Sequence, residues 1–180
     1  GLRAGVDGMW LALLLGLGAG AFLGLTAPWL TVAMGADGAV AQAAVSYLRA
    51  SCPGLPGMFV VLAATGVLRG LLDTRTPFVV ATAGAVFNVV VNAILLYGVG
   101  MGIAGSGAGT AIAQTAMALA LAGPIARAAR AASVGLLPHR QGLRASLGSG
   151  TPLLIRSLSL RVAILVTVWA ATALGEVSLA

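Results

Sequence analysis

Lysine is absent from this chain, and cysteine and histidine occur once each, as Cys52 and His139. A lone cysteine excludes an internal disulfide, and a lone histidine excludes an all-histidine metal cluster. Acidic residues are also scarce: Asp7, Asp37, Asp73 and Glu176 stand against ten arginines, for a formal charge of +6. Charged residues make up 8% of the 180 positions, against about 25% in an ordinary soluble domain. What is there instead is apolar, with 59% hydrophobic residues and a mean hydropathy of +1.05. A chain that faces lipid needs apolar residues outside as well as inside, so the bilayer is its expected solvent. The arginines are dispersed, without a basic stripe or interleaved aromatics. That pattern argues against nucleic acid and makes anionic membrane lipids the expected counter-charge.

Charge-free windows define the candidate spans. Met9 to Ala36 carries no charge, and a helix needs about 20 residues to cross the hydrocarbon core, which gives a span near 9–33. A second runs over 50–69 if Pro53 and Pro56 occupy its first turns. Thr76 to Ala126 is uncharged for 51 residues, too long for one crossing, and the glycine-dense stretch 98–109 predicts a tight turn within it. That leaves spans at 77–97 and 104–126. After an arginine-bearing segment, a fifth candidate covers about 152–175, with Arg156 and Arg161 inside it. The chain opens on Gly1 and lacks a signal-peptide pattern, so it is expected to be an internal piece of a longer protein.

Arginine asymmetry orients these spans. Short loops rich in arginine stay cytoplasmic, so Arg69 and Arg75 place the turn in Gly66–Pro77, GVLRGLLDTRTP, on the inner side. By alternation Arg3, Arg127, Arg130, Arg140 and Arg144 also fall inside, and Arg49 alone falls outside. Thr76 and Pro77 make a good helix start, with Asp73 near its positive end. The turn reads as a topology-setting element with an internal salt bridge rather than as a substrate contact.

The order of residues in that turn carries a resemblance. GVLRGLLDTRTP is similar to the LRG-x-GDTRTP loop after the fourth helix of the multidrug and toxic compound extrusion (MATE) transporters. Tyr47-Leu-Arg49 with Gly54-Leu-Pro56 resembles the family's YLRI…GLP at the opening of that helix. NVVVNAILLYG, residues 88–98, resembles its fifth-helix NxxLDxLLIFG, and residues 103–114, IAGSGAGTAIAQ, resemble the GVAGAALATVIAQ that opens the sixth. Leu72 stands where the family usually has glycine. Asn92 replaces the fifth-helix aspartate that many members are thought to use for cation coupling. The chain is most similar to the DNA-damage-inducible branch and would represent helices three to seven.

The resemblance implies an all-α, polytopic transmembrane helical bundle, an incomplete part of a twelve-helix, two-lobe transporter. Residues 1–130 would complete the N-terminal lobe, 131–151 would form the cytoplasmic link between lobes, and 152–180 would begin the C-terminal lobe. The implied activity is secondary active efflux in a bacterial inner membrane, exchanging protons or sodium ions for organic, often cationic, compounds. The implied partners are membrane lipids, those small substrates and missing helices of the same chain. No enzyme site emerges, no cofactor beyond a coupling ion is expected, and the 98–109 stretch lacks the lysine of a phosphate-binding loop.

Candidate cavity residues are the polar groups inside spans. Asn88 and Asn92 are four apart and share a helix face, either as an interhelical clamp or as cavity lining, and neither can titrate. Arg161 lies about 15 Å along a helix from Thr151, near mid-bilayer, where a charge should face protein or water. It either lines the cavity or pairs with a carboxylate or carbonyls of another helix. Arg156 is placed to snorkel. Gln114 faces the cavity or a neighbouring helix, with nothing in the sequence to choose. Gly16, Gly20 and Gly24 repeat at intervals of four and predict close helix packing. His139 is expected in a solvated loop. Two rivals remain: a flippase of the same superfamily moving lipid-linked oligosaccharides, for whose anionic headgroup Arg161 would be suited, and a non-transporting membrane scaffold.

Overall fold

In lipid every backbone amide must be satisfied within its own segment or by a neighbour, which leaves helix as the economical solution. The computed structural model of the protein describes residues 1–148, 159, 160, 162–164 and 166, and among these it contains helices and no strand. In chain order they are α1 (Leu2–Ala33), α2 (Gly38–Ser51), a 3-10 turn (Cys52–Gly54), α3 (Leu55–Gly70), α4 (Arg75–Ala93) continued by a π turn (Ile94–Gly98), and α5 (Gly102–Ala131). A further helical stretch covers 140–148. Four segments are long and apolar enough to cross a membrane: Leu2–Ala33, Gly38–Gly70, Arg75–Gly98 and Gly102–Ala131. The fifth expected span, with Arg156 and Arg161, lies outside the described residues apart from the six isolated positions above.

Three boundaries differ from the sequence expectation. α1 starts at Leu2 rather than near Met9, because its early charges, Arg3 and Asp7, pair with each other across one turn. The second span starts at Gly38 rather than at 50, so Arg49 is helical and not in a loop. Alanine-rich GAVAQAAVSYLRAS favours helix, and the 3-10 turn absorbs Pro53 so that the segment continues into α3. The third difference is in the glycine-dense stretch. The turn shrinks to the few residues around Gly100 and Gly102, both at positive φ, while Gly105, Gly107 and Gly109 are buried inside α5.

The helices alternate in direction, so Arg3, Arg69, Arg75, Arg127 and Arg130 gather at one end of the bundle. α3 packs against both α1 and α5, and α4 lies on the far side of α5 with few contacts to α3. Toward the arginine-rich end the core is made of side chains: Ala64, Leu68, Leu121 and Ile125, flanked by Met9, Val61 and Val80. Toward the other end it is made of backbone. Gly16 lies against Pro56, Gly20 against the Cys52 carbonyl, Gly54 against Ala111, and Gly107 against the Tyr47 carbonyl. A Cβ at Gly24 would make only ordinary contact with Cys52 Sγ, at 3.7 Å.

Two local devices position the ends. α1, α3 and α5 each close with the same pair of hydrogen bonds around a residue in left-handed conformation: Gly35, Leu72 and Ser133. At α3 the Asp73 N–H donates to the Leu68 carbonyl at 2.9 Å and the Leu72 N–H to the Arg69 carbonyl at 3.0 Å, with Leu72 at φ +63°. Within α1, Pro28 has no N–H to offer the Gly24 carbonyl. Arg49 Nε donates to that carbonyl instead, at 3.4 Å, from the last turn of α2.

Candidate functional site

Asn88 and Asn92 stand about 20 and 26 Å along the third span from Arg75, far from the arginine-rich end. Their four-residue spacing brings the amides together, and Asn92 Nδ2 donates to Asn88 Oδ1 at 2.8 Å. The second amide oxygen fares differently. Asn92 Oδ1 is buried and has no hydrogen-bond partner, the one such side-chain atom among the described residues. It presses on Gly109 of α5, where a Cβ would collide with it. The α5 amides there are engaged along their own helix and leave it no donor. An acceptor held this way in an apolar setting costs about 1–3 kcal/mol, and it presents a lone pair to any donor or cation that enters.

The other expected cavity residues are not gathered at this point. Gln114 is half-buried, with its backbone against Gly57 of α3. Five positions from Gly109 correspond to about 140° around α5, so Gln114 faces a different neighbour from the asparagine pair. Arg161 lies outside the described residues. Among the described residues no group of three or more histidine, cysteine or acidic side chains could hold a metal ion.

In the turn between α3 and α4 the expected salt bridge does not form. Asp73 Oδ1 accepts from the Thr76 N–H at 2.9 Å, and the carboxylate pairs with neither the Arg69 nor the Arg75 guanidinium. The physical reason is reach: a short side chain three residues before an unsatisfied helix-start amide finds it more readily than a mobile guanidinium in water. Hydrogen bonds from the Thr76 hydroxyl, and then from the Thr76 backbone, hold the Asp73 carboxyl below its ordinary value. Arg69 and Arg75 are exposed on either side.

One cluster was not foreseen. Asp7 is 2% exposed, and its Oδ1 accepts from the His139 backbone N–H at 2.9 Å while Arg3 Nε stands 3.7 Å from Oδ2. Arg3 also donates to the carbonyls of Gly135 at 2.8 Å and Leu137 at 3.1 Å, and lies 2.9 Å from His139 Nδ1. Arginine can only donate, so Nδ1 is the acceptor. Trp10 Nε1 donates to the Leu136 carbonyl at 2.8 Å. The segment after α5 is thereby latched onto the first turns of α1. His139 is exposed, as expected, yet its backbone and ring are both engaged. The only sequence signal was a charged pair four apart at the start of a very apolar helix.

Comparison with known proteins adds an independent line. The MatE family model matches residues 3–94, about half of the chain, from the start of α1 to the π turn. Two Arabidopsis thaliana proteins are similar over shorter stretches. Protein DETOXIFICATION 44, chloroplastic, is 43% identical over 60 residues, 33% of this chain and 12% of that protein. Protein DETOXIFICATION 43 is 32% identical over 97 residues, 53% of this chain and 18% of that protein. The chain thus spans less than a fifth of the length of these relatives. No solved structure matches.

Proposed function

Because this chain belongs to the MatE family, we propose that it is part of a secondary active transporter that exchanges protons or sodium ions for organic, often cationic, compounds by alternating access. It would supply helices three to seven of twelve, in the DNA-damage-inducible branch. The DETOXIFICATION names of its relatives agree with an efflux role. The arginine-rich end is assigned to the cytoplasmic side by its charge. A bacterial inner membrane follows from the motif resemblance, whereas both relatives are plant proteins and one is chloroplastic. Fractionation of the native host separates a plasma membrane from an organelle membrane.

The observation that carries the reading is the unpartnered Asn92 Oδ1. Its position corresponds to the family's fifth-helix aspartate, and an amide there can bind a donor or cation but cannot exchange a proton. The proton-carrying carboxylate, where protons drive transport, is therefore another residue, and Asp7 is a poor candidate because its oxygens are engaged by His139 and Arg3. The test is efflux of a cationic dye from vesicles holding the full-length protein under an imposed proton or sodium gradient. Asn92→Leu should cut gradient-driven efflux about tenfold or more while the protein still inserts, and Arg161→Ala should do the same if it lines the pathway. Unchanged efflux in Asn92→Leu removes the asparagine pair from the pathway, and no efflux under either gradient removes the antiporter reading.

A further inference from the structure

Between the end of α3 and the start of α4 lies an open cavity of about 680 Å³, lined by Thr65, Arg69, Thr74, Arg75 and Phe78 among others. We propose that it binds the phosphate of an anionic phospholipid in the leaflet at the arginine-rich end. The proposal rests on the membrane placement of the bundle and adds to it a specific lipid site.

Charge supplies the first argument. Arg69 and Arg75 are exposed, and neither guanidinium has an ion-pair or hydrogen-bond partner among the described residues. Asp73, the one carboxylate of the turn, is spent on the Thr76 amide, so both guanidiniums keep their donors free for an external acceptor. Two forked donors facing one cavity suit the oxygens of a phosphate, and the Thr65 and Thr74 hydroxyls line the same space. The first amides of α4 do not supply the site, because Asp73 already occupies Thr76 and Pro77 has no N–H.

Shape supplies the second argument and separates a lipid from a soluble anion. α3 and α4 make few contacts with each other, and the open cavity between them extends along α4 past Phe78 to Ala81. Phe78 in its lining is 71% exposed, and Leu62, three and seven residues before Thr65 and Arg69 on the same face of α3, is 63% exposed, apolar surface that an acyl chain would cover and a free phosphate would not. Basic pockets between helices at the inner headgroup level recognise anionic lipids by this combination of charge and apolar wall.

The experiment uses the full-length protein in phosphatidylcholine nanodiscs doped with phosphatidylglycerol, with retained lipid counted by native mass spectrometry after extraction. The protein should keep phosphatidylglycerol in preference to phosphatidylcholine. Arg69→Gln with Arg75→Gln should weaken that preference about 30-fold, roughly fivefold per arginine. Arg69→Lys with Arg75→Lys should lose less, since the charge stays and only the fork is removed. The comparison pair Arg127→Gln with Arg130→Gln, exposed at the same end, should change little. Equal loss in both pairs would reduce the effect to diffuse surface charge and overturn the site, as would no loss in the first pair. Displacement of phosphatidylglycerol by inorganic phosphate at matched ionic strength would make it a soluble-anion site instead. Failure of the membrane reading looks different again: no lipid of either kind would be retained.

Discussion

The two halves of this bundle hold together by opposite means. At the arginine-rich end, Leu68, Leu121 and Ile125 fill the space between α1, α3 and α5, and the polar groups of Arg3, Asp7 and His139 satisfy one another. At the other end the helices meet through glycine and alanine, backbone on backbone, and a buried amide oxygen at Asn92 is left without a donor. In lipid no hydrophobic force draws helices together, so contact has to come from close approach and polar bonds. The arginine-rich half uses long side chains and exposed arginines, whereas the other half is held by small residues in close backbone contact, and the unsatisfied Asn92 amide oxygen lies there.

That contrast can be broken from both sides, first by enlarging a small residue. At Gly54 a Cβ would sit 2.6 Å from the Ala111 Cα, where no side chain can swing away. Gly54→Ala should therefore cost about 3 kcal/mol and part α5 from the 3-10 turn, read as a lowered unfolding midpoint in detergent. The opposite change is the damaging one at the other end. Leu121 is 1% exposed, and Leu121→Ala should cost about 2 kcal/mol. This falls at the low end for such truncations because lipid is as apolar as the core, which leaves mainly the cavity to contribute. If Leu121→Ala proved harmless and a second glycine-to-alanine change near it proved severe, the two halves would not differ in kind.

Much of the all-α architecture is readable without coordinates, because a charge-free window of bilayer length has few other fates. The four-residue spacing of Asn88 and Asn92 puts them on one helix face, but it does not show that they bond to each other within α4 rather than to a neighbouring helix. What stayed hidden depends on distant partners or on rules taken from water. Asp7 is buried only because the segment near His139 folds back over 132 residues, and no periodicity reports that. Gly105, Gly107 and Gly109 spell a turn by aqueous propensity, yet in a bundle they are the surface that lets α5 touch α2, α4 and the π turn. The salt bridge expected at Asp73 failed for a third reason. Charge complementarity does not rank a guanidinium in solvent against an amide three residues away.

A smaller effect sharpens the contrast at the arginine-rich end, where the turn tolerates an imperfection. Leu72 closes α3 at φ +63°, a conformation that Gly35 adopts freely at the end of α1. Its side chain is 91% exposed and gains little by packing. Leu72→Gly should therefore stabilise the protein by about 1 kcal/mol, the strain of a branched residue in the left-handed region less the extra freedom of glycine when unfolded. A loss of stability would mean that Leu72 is covered by lipid or by another segment.

The smallest expected effect lies one residue on and is a matter of pH. The Thr76 hydroxyl and amide favour the ionised Asp73, so its carboxyl titrates lower in the folded protein than in the unfolded one. A depressed folded value means that the bond's contribution is fully present above the unfolded carboxylate range, about pH 4, and is lost as pH falls through the folded value below it. Protection of the Thr76 amide against exchange, corrected for the intrinsic rate, should hold steady from neutral pH down to that range and decline beneath it. Asp73→Asn keeps an acceptor but no titration, so its profile should be flat. A decline already near pH 6 would assign the effect to a group other than Asp73.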